Sequence, residues 1–481
     1  MLTNPDLSSQ RSASRSSPAA TSPWRRSLLV VLIALIGLAM MMNGAVAAPY
    51  RQIAFLLLVL PLFLALTTPI MRSTTRRLWR WSVLIGGYLL TWALLQSVPL
   101  PFGFMANPVW SGLAELGIPA AAHVSIAPTR TLAALPALIL PILVFAAILL
   151  LCQEKREAVL AWKALAVLGI GLAALSVLLE LVFPETLFFS SVPVGRGAFN
   201  GIFVNRNTTA AFLALAICAT VGWLFMPRND QNRRMTQAQP GVSLDWPRLF
   251  LGAIVFLMVI ALITTRSRAG VSFALICLTL AVAAVFLLRP DRGSGSRIES
   301  WAKAGLALAA GVALFALFGD PVASRMGTEA DDGRWCAWAG TWQAIRERPL
   351  TGFGFATFAE MFPRFRDPDC LGTEGDWTRA HNSHLEFLAG MGAIGAVAAL
   401  AGLVILARTL LAGVRQRRSL RAIPILSLAA LAYIFLHGAA DFPLQIPGVA
   451  LYFAALMGAG AAVSTLSRQP RTPSGRRKQA G

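Results

Sequence analysis

The chain has 481 residues, of which 56% are hydrophobic and only 13% charged. That composition excludes an ordinary soluble fold, and apolar runs that are continuous rather than alternating do not suit a closed barrel. The formal net charge of +20 would fit a nucleic-acid partner, but the charge distribution argues for membrane topology and no nucleic acid.

Residues 1–26 read as a disordered cytoplasmic tail, rich in Ser, Pro and Ala and without an apolar run. Residues 27–318 hold nine expected spans, at 27–48, 53–70, 81–98, 132–151, 164–183, 207–226, 249–265, 269–288 and 304–318. Each approaches the length needed to cross a hydrocarbon core of roughly 30 Å. The first is too long for a signal-peptide core and is expected to remain as an anchor. Residues 319–384 form one large outer loop. Three further spans, at 385–406, 423–440 and 447–466, fill 385–466, and 467–481 is a basic cytoplasmic tail. The fold expected is an all-α polytopic membrane protein with about twelve transmembrane helices.

With the first tail inside, most of the 42 Lys and Arg fall on the inner side. Arg25-Arg26, Arg72 to Arg80, Arg228 to Arg234, Arg415 to Arg421 and Arg476-Arg477-Lys478 are the main groups. This positive-inside pattern sets both termini in the cytoplasm. Cys152, Cys218 and Cys277 lie in or beside spans and read as packing residues. Cys336 and Cys370 share the outer loop, where oxidising conditions can join them, although their spacing leaves the bridge open.

The loop at 319–384 carries ten acidic residues, seven arginines and a series of aromatics from Trp335 to Phe365. A loop of that length is functional or disordered, and the aromatics favour a folded cap. Trp335, Trp338, Trp342 and Ile345 recur at helical spacing, so a surface helix is expected over Arg334 to Arg348, ended by Pro349. Asp367-Pro368-Asp369 reads as a solvated acid pair rather than a metal site, and Gly352-Phe353-Gly354 as a turn.

Arg206, Arg266 and Arg268 lie at outer span ends, where positive-inside statistics disfavour them and an unpaired charge near hydrocarbon is costly. One such arginine would be read as snorkelling to headgroups. Several, together with Arg334, suit the paired, charge-assisted recognition of a lipid diphosphate. His381 and His384 stand where the large loop returns to a span, three residues apart and on one face if that segment is helical. A neutral imidazole there can take a proton from a sugar hydroxyl near neutral pH. A lone interfacial histidine would more often bond to backbone, and metal binding by this pair lacks a third ligand with telling spacing. His437 and Asp441, four apart in the last outer turn, read as a structural pair.

These residues resemble those of the O-antigen ligase and polymerase superfamily of bacterial envelope glycosyltransferases. The likeness covers roughly residues 80–460. It runs through Phe203-Val204-Asn205-Arg206-Asn207, Ser267-Arg268-Ala269-Gly270, Arg334 with Trp338, and Pro349-Leu350-Thr351-Gly352-Phe353-Gly354. Its most specific part is His381-Asn382 followed by Gly392 and Gly395, which is similar to the ligases' histidine signature. The resemblance implies a glycosyltransferase-C-like fold with a periplasmic lid in the bacterial inner membrane. It also implies transfer of a glycan from undecaprenyl diphosphate, without metal, cofactor or nucleotide sugar. The acceptor is lipid A–core in ligases and another lipid-linked glycan in polymerases. By position, Arg206, Arg268 and Arg334 would hold the diphosphate beside Arg266, His381 would activate the acceptor, and His384 would support it. The signature tilts the reading towards a ligase. A polymerase, a protein-directed oligosaccharyltransferase and, from a different class, a non-catalytic transporter of lipid-linked glycan remain the alternatives. Polar groups gathered at one face favour an enzyme over a transporter built around a midplane site.

Overall fold

The computed structural model describes residues 23–70, 72–100, 103–184, 186, 198–227, 245–288, 294–323, 329–370 and 377–466, with backbone alone at 294–297, 315–323 and 329–332. The outermost tail residues and the basic group from Arg228 to Arg234 lie outside this description. The described residues are helical, without a strand. Ten helices are long and apolar enough to cross a membrane: α1 (Pro23–Met41), α2 (Ala48–Leu66), α3 (Ser73–Ser97), α5 (Pro128–Leu151), α6 (Lys155–Val182), α7 (Arg206–Leu224), α8 (Trp246–Thr264), α9 (Arg268–Leu287), α13 (Ser383–Gln416) and α15 (Pro447–Thr465). A shorter apolar helix, α14 (Ala422–Gly438), lies among them. The segment expected as the ninth span falls in α10 (Ser294–Ala323), while α4 (Val109–Glu115), α11 (Glu329–Glu347) and α12 (Phe358–Phe365) are connecting helices.

The first expected span overruns the structure. The expected span runs to residue 48, but α1 stops at Met41 and the chain reverses through Asn43, Gly44 and Ala45, all at positive φ. Hydropathy alone hides this turn, because Ala45 to Ala48 are as apolar as a helix interior. The turn is fixed by packing: a Cβ on Gly44 would meet Ile446 at 2.6 Å, and Asn43 Oδ1 accepts from Val204 N at 3.0 Å.

Helices α7 and α15 form the buried centre of the bundle, and α5, α6 and α14 pack around them. Two of their buried side chains donate to backbone of a neighbouring helix, as hydrocarbon favours. Trp162 Nε1 donates to Ala219 O at 2.8 Å, and Tyr452 OH to Leu165 O at 2.8 Å.

The break in α13 sets the geometry of one end of the molecule. Gly392 sits at φ 62°, ψ −174°, inside the 34-residue helix. That conformation is essentially reserved for glycine, and a Cβ there would lie 2.1 Å from Leu350 O. The groups freed by the break all find partners. Ala389 O and Gly390 O accept from Phe353 N and Gly354 N, each at 2.9 Å, and Ala393 N donates to Pro349 O at 2.8 Å. From α3, Gln96 Nε2 donates to Gly390 O at 2.9 Å and Trp92 Nε1 to Met391 O at 2.8 Å. The Gly352-Phe353-Gly354 turn is thus the strap that ties the cap to α13. Arg348 supports the strap, its guanidinium donating to Met105 O at 2.6 Å and Ala106 O at 3.0 Å.

The cap has its own core. Ile345, Phe353, Phe358, Met361 and Phe362 are buried together against Ala380 and Ala389. A disulfide between Cys336 and Cys370 joins α11 to the segment after α12, resolving the pairing that the spacing left open. Helix α11 contains the expected surface helix and ends at Glu347, just before Pro349. Asp367 Oδ1 accepts from Asp369 N at 2.9 Å, so this acid pair shapes a turn.

Candidate active site

His381 stands where the cap rejoins α13, two residues before the helix begins. Asn382 is the N-cap, its side chain accepting from His384 N and Leu385 N, each at 3.1 Å. His381 itself lies at φ 51°, an unfavourable left-handed conformation for a non-glycine residue. The turn is held by Glu386, whose carboxylate accepts from Arg379 Nη1 at 3.0 Å and Ala380 N at 3.0 Å. The ring is held between Trp377 and Phe442, at centroid distances of 5.4 and 4.9 Å. Its side chain is 26% exposed, enough for a substrate to reach it.

The partner of His381 is Asp441, at 3.2 Å from Nδ1. Asp441 is buried, and Ser383 ties its backbone to the start of α13: Ser383 N and Oγ both donate to Asp441 O, at 3.1 and 3.2 Å. A carboxylate at Nδ1 selects the tautomer with the proton there, which leaves Nε2 as the basic nitrogen. Sequence spacing paired Asp441 with His437. In the structure His437 Nδ1 instead meets Tyr433 OH at 3.0 Å, and its link to Asp441 is through backbone, Asp441 N to His437 O at 2.9 Å.

His384 does not join His381. The shared helical face required both to be helical, and only His384 is. Its Nε2 meets Phe435 O at 2.8 Å and its ring lies 4.5 Å from that of Phe435, so it fastens α13 to α14.

The arginines begin helices at the same end of the bundle. Arg206 is the first residue of α7 behind the Asn205 cap, and Arg268 the first of α9 behind the Ser267 cap. Helix N-termini carry partial positive charge and favour anions, so an arginine there adds to an anion-attracting field. Arg266, between α8 and α9, is exposed and held at φ 52°. Phe199 N donates to Thr264 O at 3.2 Å, which brings the approach to α7 against the end of α8. Helix α14, which leads to Asp441, packs on both α7 and α9. Arg334 of α11 lies within electrostatic reach of His437, on the His381–Asp441 side.

Arg266 and Arg268 line the mouth of a cavity of about 1310 Å³ between α6 and α8. Glu180 and Phe199 share the mouth, and below them the walls are hydrocarbon, among them Ile170, Leu178, Ile254 and Leu257. Leu178, Leu181 and Leu257 are exposed, so the cavity faces the space that lipid would fill.

A second group of arginines includes Arg379, two residues before His381. Arg51 of α2 is within electrostatic reach of Arg130 and Arg379. Arg130 pairs with Glu360 at 3.3 Å. Sequence reading does not find this set, and it pairs Asp441 with His437 rather than with His381. The signal available for Asp441 was a single acid in a short outer turn, and only the fold brings it to His381.

Together these features define a multi-pass helical membrane protein with a capped, arginine-rich site at one end of its bundle. Residues 253–400 match the model of the O-antigen ligase family. This stretch of the chain is therefore similar to the O-antigen ligase family. It takes in Arg266, Arg268, the cap, His381 and the break at Gly392, while Arg206 and Asp441 lie outside it. No curated protein matches the chain.

Proposed function

We propose that the protein is an inverting O-antigen ligase, transferring a glycan from undecaprenyl diphosphate to a hydroxyl of lipid A–core at the periplasmic face of the bacterial inner membrane. The observation that carries this reading is the hydrocarbon-walled cavity with Arg266 and Arg268 at its mouth, at the same end of the bundle as the His381–Asp441 pair. A polyprenyl chain enters such a groove from the bilayer, and its diphosphate then lies at the depth of the guanidinium groups.

In this mechanism the acceptor oxygen attacks the anomeric carbon from the face opposite the diphosphate. The bond from that carbon to the phosphate oxygen breaks, and undecaprenyl diphosphate leaves with the electron pair. The hydroxyl proton passes to His381 Nε2, and Asp441 holds the imidazolium that forms. Arg206, Arg266, Arg268 and Arg334 stabilise the charge growing on the departing oxygens in a water-poor site. His384 contributes by fixing α13 rather than by handling a proton. The break in α13 is filled by the cap's own backbone, an arrangement better suited to an interfacial enzyme than to a transporter.

With the cap periplasmic, the Cys336–Cys370 bridge sits in an oxidising compartment, and both termini are cytoplasmic. The test is the envelope glycan profile of a deletion strain carrying wild type or His381→Ala. A ligase leaves acceptor lipid bare while polymerised chains accumulate on undecaprenyl diphosphate. Acceptors carrying a single repeat unit would make the protein a polymerase, and an unchanged profile would end the catalytic reading.

A further inference from the structure

A second cavity, of about 780 Å³, lies at the opposite end of the bundle, between the start of α3 and the ends of α13 and α15. Arg72, Arg77, Arg408 and Arg417 line it, and the described lining contains no carboxylate. Arg417 helps to build the wall, its Nη2 donating to Ser464 O at 3.1 Å and also to Leu466 O. The side chains of Arg77 and Arg408 make no hydrogen bond or ion pair among the described residues. Positive-inside topology accounts for arginines near these helix ends. It does not by itself account for Arg77 and Arg408 facing one half-open space whose described lining holds no carboxylate.

The position of Arg408 adds to this. It lies two residues past the expected span at 385–406, at the level of the headgroups, and it is exposed. A guanidinium at that level reaches water or meets an anionic headgroup. Trp81, on the third turn of α3, lines the same cavity at the level where aromatic rings anchor to headgroups. Beyond it, Leu84 of α3 and Val404 of α13 are exposed apolar side chains. A cationic pocket that opens onto an apolar surface matches a ligand with an anionic head and hydrocarbon tails.

We propose that this cavity binds an anionic phospholipid, with the headgroup phosphate between Arg77 and Arg408 and the acyl chains along Trp81 and Leu84. The site is separate from the catalytic end, but it bridges α3 and α13. Those are the helices whose other ends meet at the Gly392 break through Gln96 and Trp92. A lipid bound there clamps the two helices that shape the ground beneath His381.

The experiment is native mass spectrometry of the full chain, delipidated in detergent and offered phosphatidylglycerol, phosphatidylethanolamine or inorganic phosphate. The expected result is a phosphatidylglycerol adduct weakened roughly thirty-fold in Arg77→Gln/Arg408→Gln. Arg77→Lys/Arg408→Lys should restore most of it. The Arg415→Gln/Arg418→Gln protein, which loses equal charge outside the cavity, should bind as wild type does. Equal weakening in both Gln pairs would reduce the effect to general surface charge and overturn the proposal. So would equal retention of phosphatidylethanolamine, or displacement of the lipid by millimolar inorganic phosphate. Quenching of wild-type tryptophan fluorescence by brominated phosphatidylglycerol tests the site without the Gln variants. The quenched signal should fall in Trp81→Phe, and an unchanged signal would exclude acyl chains from this cavity.

Discussion

The two cavities use the same residue type for different ends. At the Arg77–Arg408 cavity, arginines ring the space and the lengths of α3 and α13 that line it are regular helix. At the His381 end, Arg266 and Arg268 guard a hydrocarbon slot, two of the neighbouring helices begin with arginine, and α13 is broken at Gly392. Arginine alone therefore does not mark a catalytic end. What separates the two is local irregularity: a broken helix, a histidine and an arginine in left-handed conformations, and a buried carboxylate at a ring nitrogen. Such features raise the free energy of the fold locally and persist where the surrounding structure over-determines them.

The comparison is broken most directly by removing the base. His381→Ala should lower transfer by about 10³-fold and Arg268→Ala by about 10²-fold, measured in proteoliposomes with a lipid-linked donor. Thermal unfolding in detergent should stay near wild type for both, since neither side chain fills the core. The inner pair Arg77→Gln/Arg408→Gln should keep the chemical step. Equal losses at both ends would mean that the arginines act on the bundle as a whole.

Asp441→Asn tests whether the buried carboxylate orients the ring. A loss of about 10- to 100-fold in kcat is expected, with the donor KM little changed. Loss of donor binding instead would make Asp441 a structural residue of the turn at Phe442. Cys336→Ser comes next. The bridge closes 34 residues, worth about 2–4 kcal/mol to the cap, so limited proteolysis should attack the cap first while the bundle stays intact. Simultaneous cleavage of bundle and cap would show that the cap is no separate layer.

Much of this was legible in the chain because hydrocarbon imposes a simple rule on composition. The helical, multi-span class follows from apolarity, although ten described helices are long and apolar enough to cross a membrane where about twelve spans are expected. What escaped notice depends on contacts distant in sequence or on backbone conformation. Asp441 is 60 residues from His381, and no periodicity links them. The reversal at Asn43 to Ala45 is hidden in an apolar run. His384 was paired with His381 by helical spacing, yet the Asn382 cap begins the helix between them and turns the two rings to different partners. The signature glycine at 392 was visible, but its reason, an incoming strap of backbone at Leu350 to Gly354, was not.

The smallest expected effect is the most specific to the difference between the two cavities. Leu257 lines the outer slot and is 62% exposed, so Leu257→Asn should leave helix packing almost intact. It places an amide where a polyprenyl chain would lie, with no partner there for its hydrogen bonds. Donor KM should rise about ten-fold with kcat unchanged, because the tail contributes binding equally to ground and transition states. The change should fade with a donor whose lipid is too short to reach Leu257, while His381→Ala should impair short and long donors alike. A Leu257→Asn protein that lowers kcat for both donors would place the polyprenyl chain elsewhere and leave the slot as ordinary lipid-facing surface.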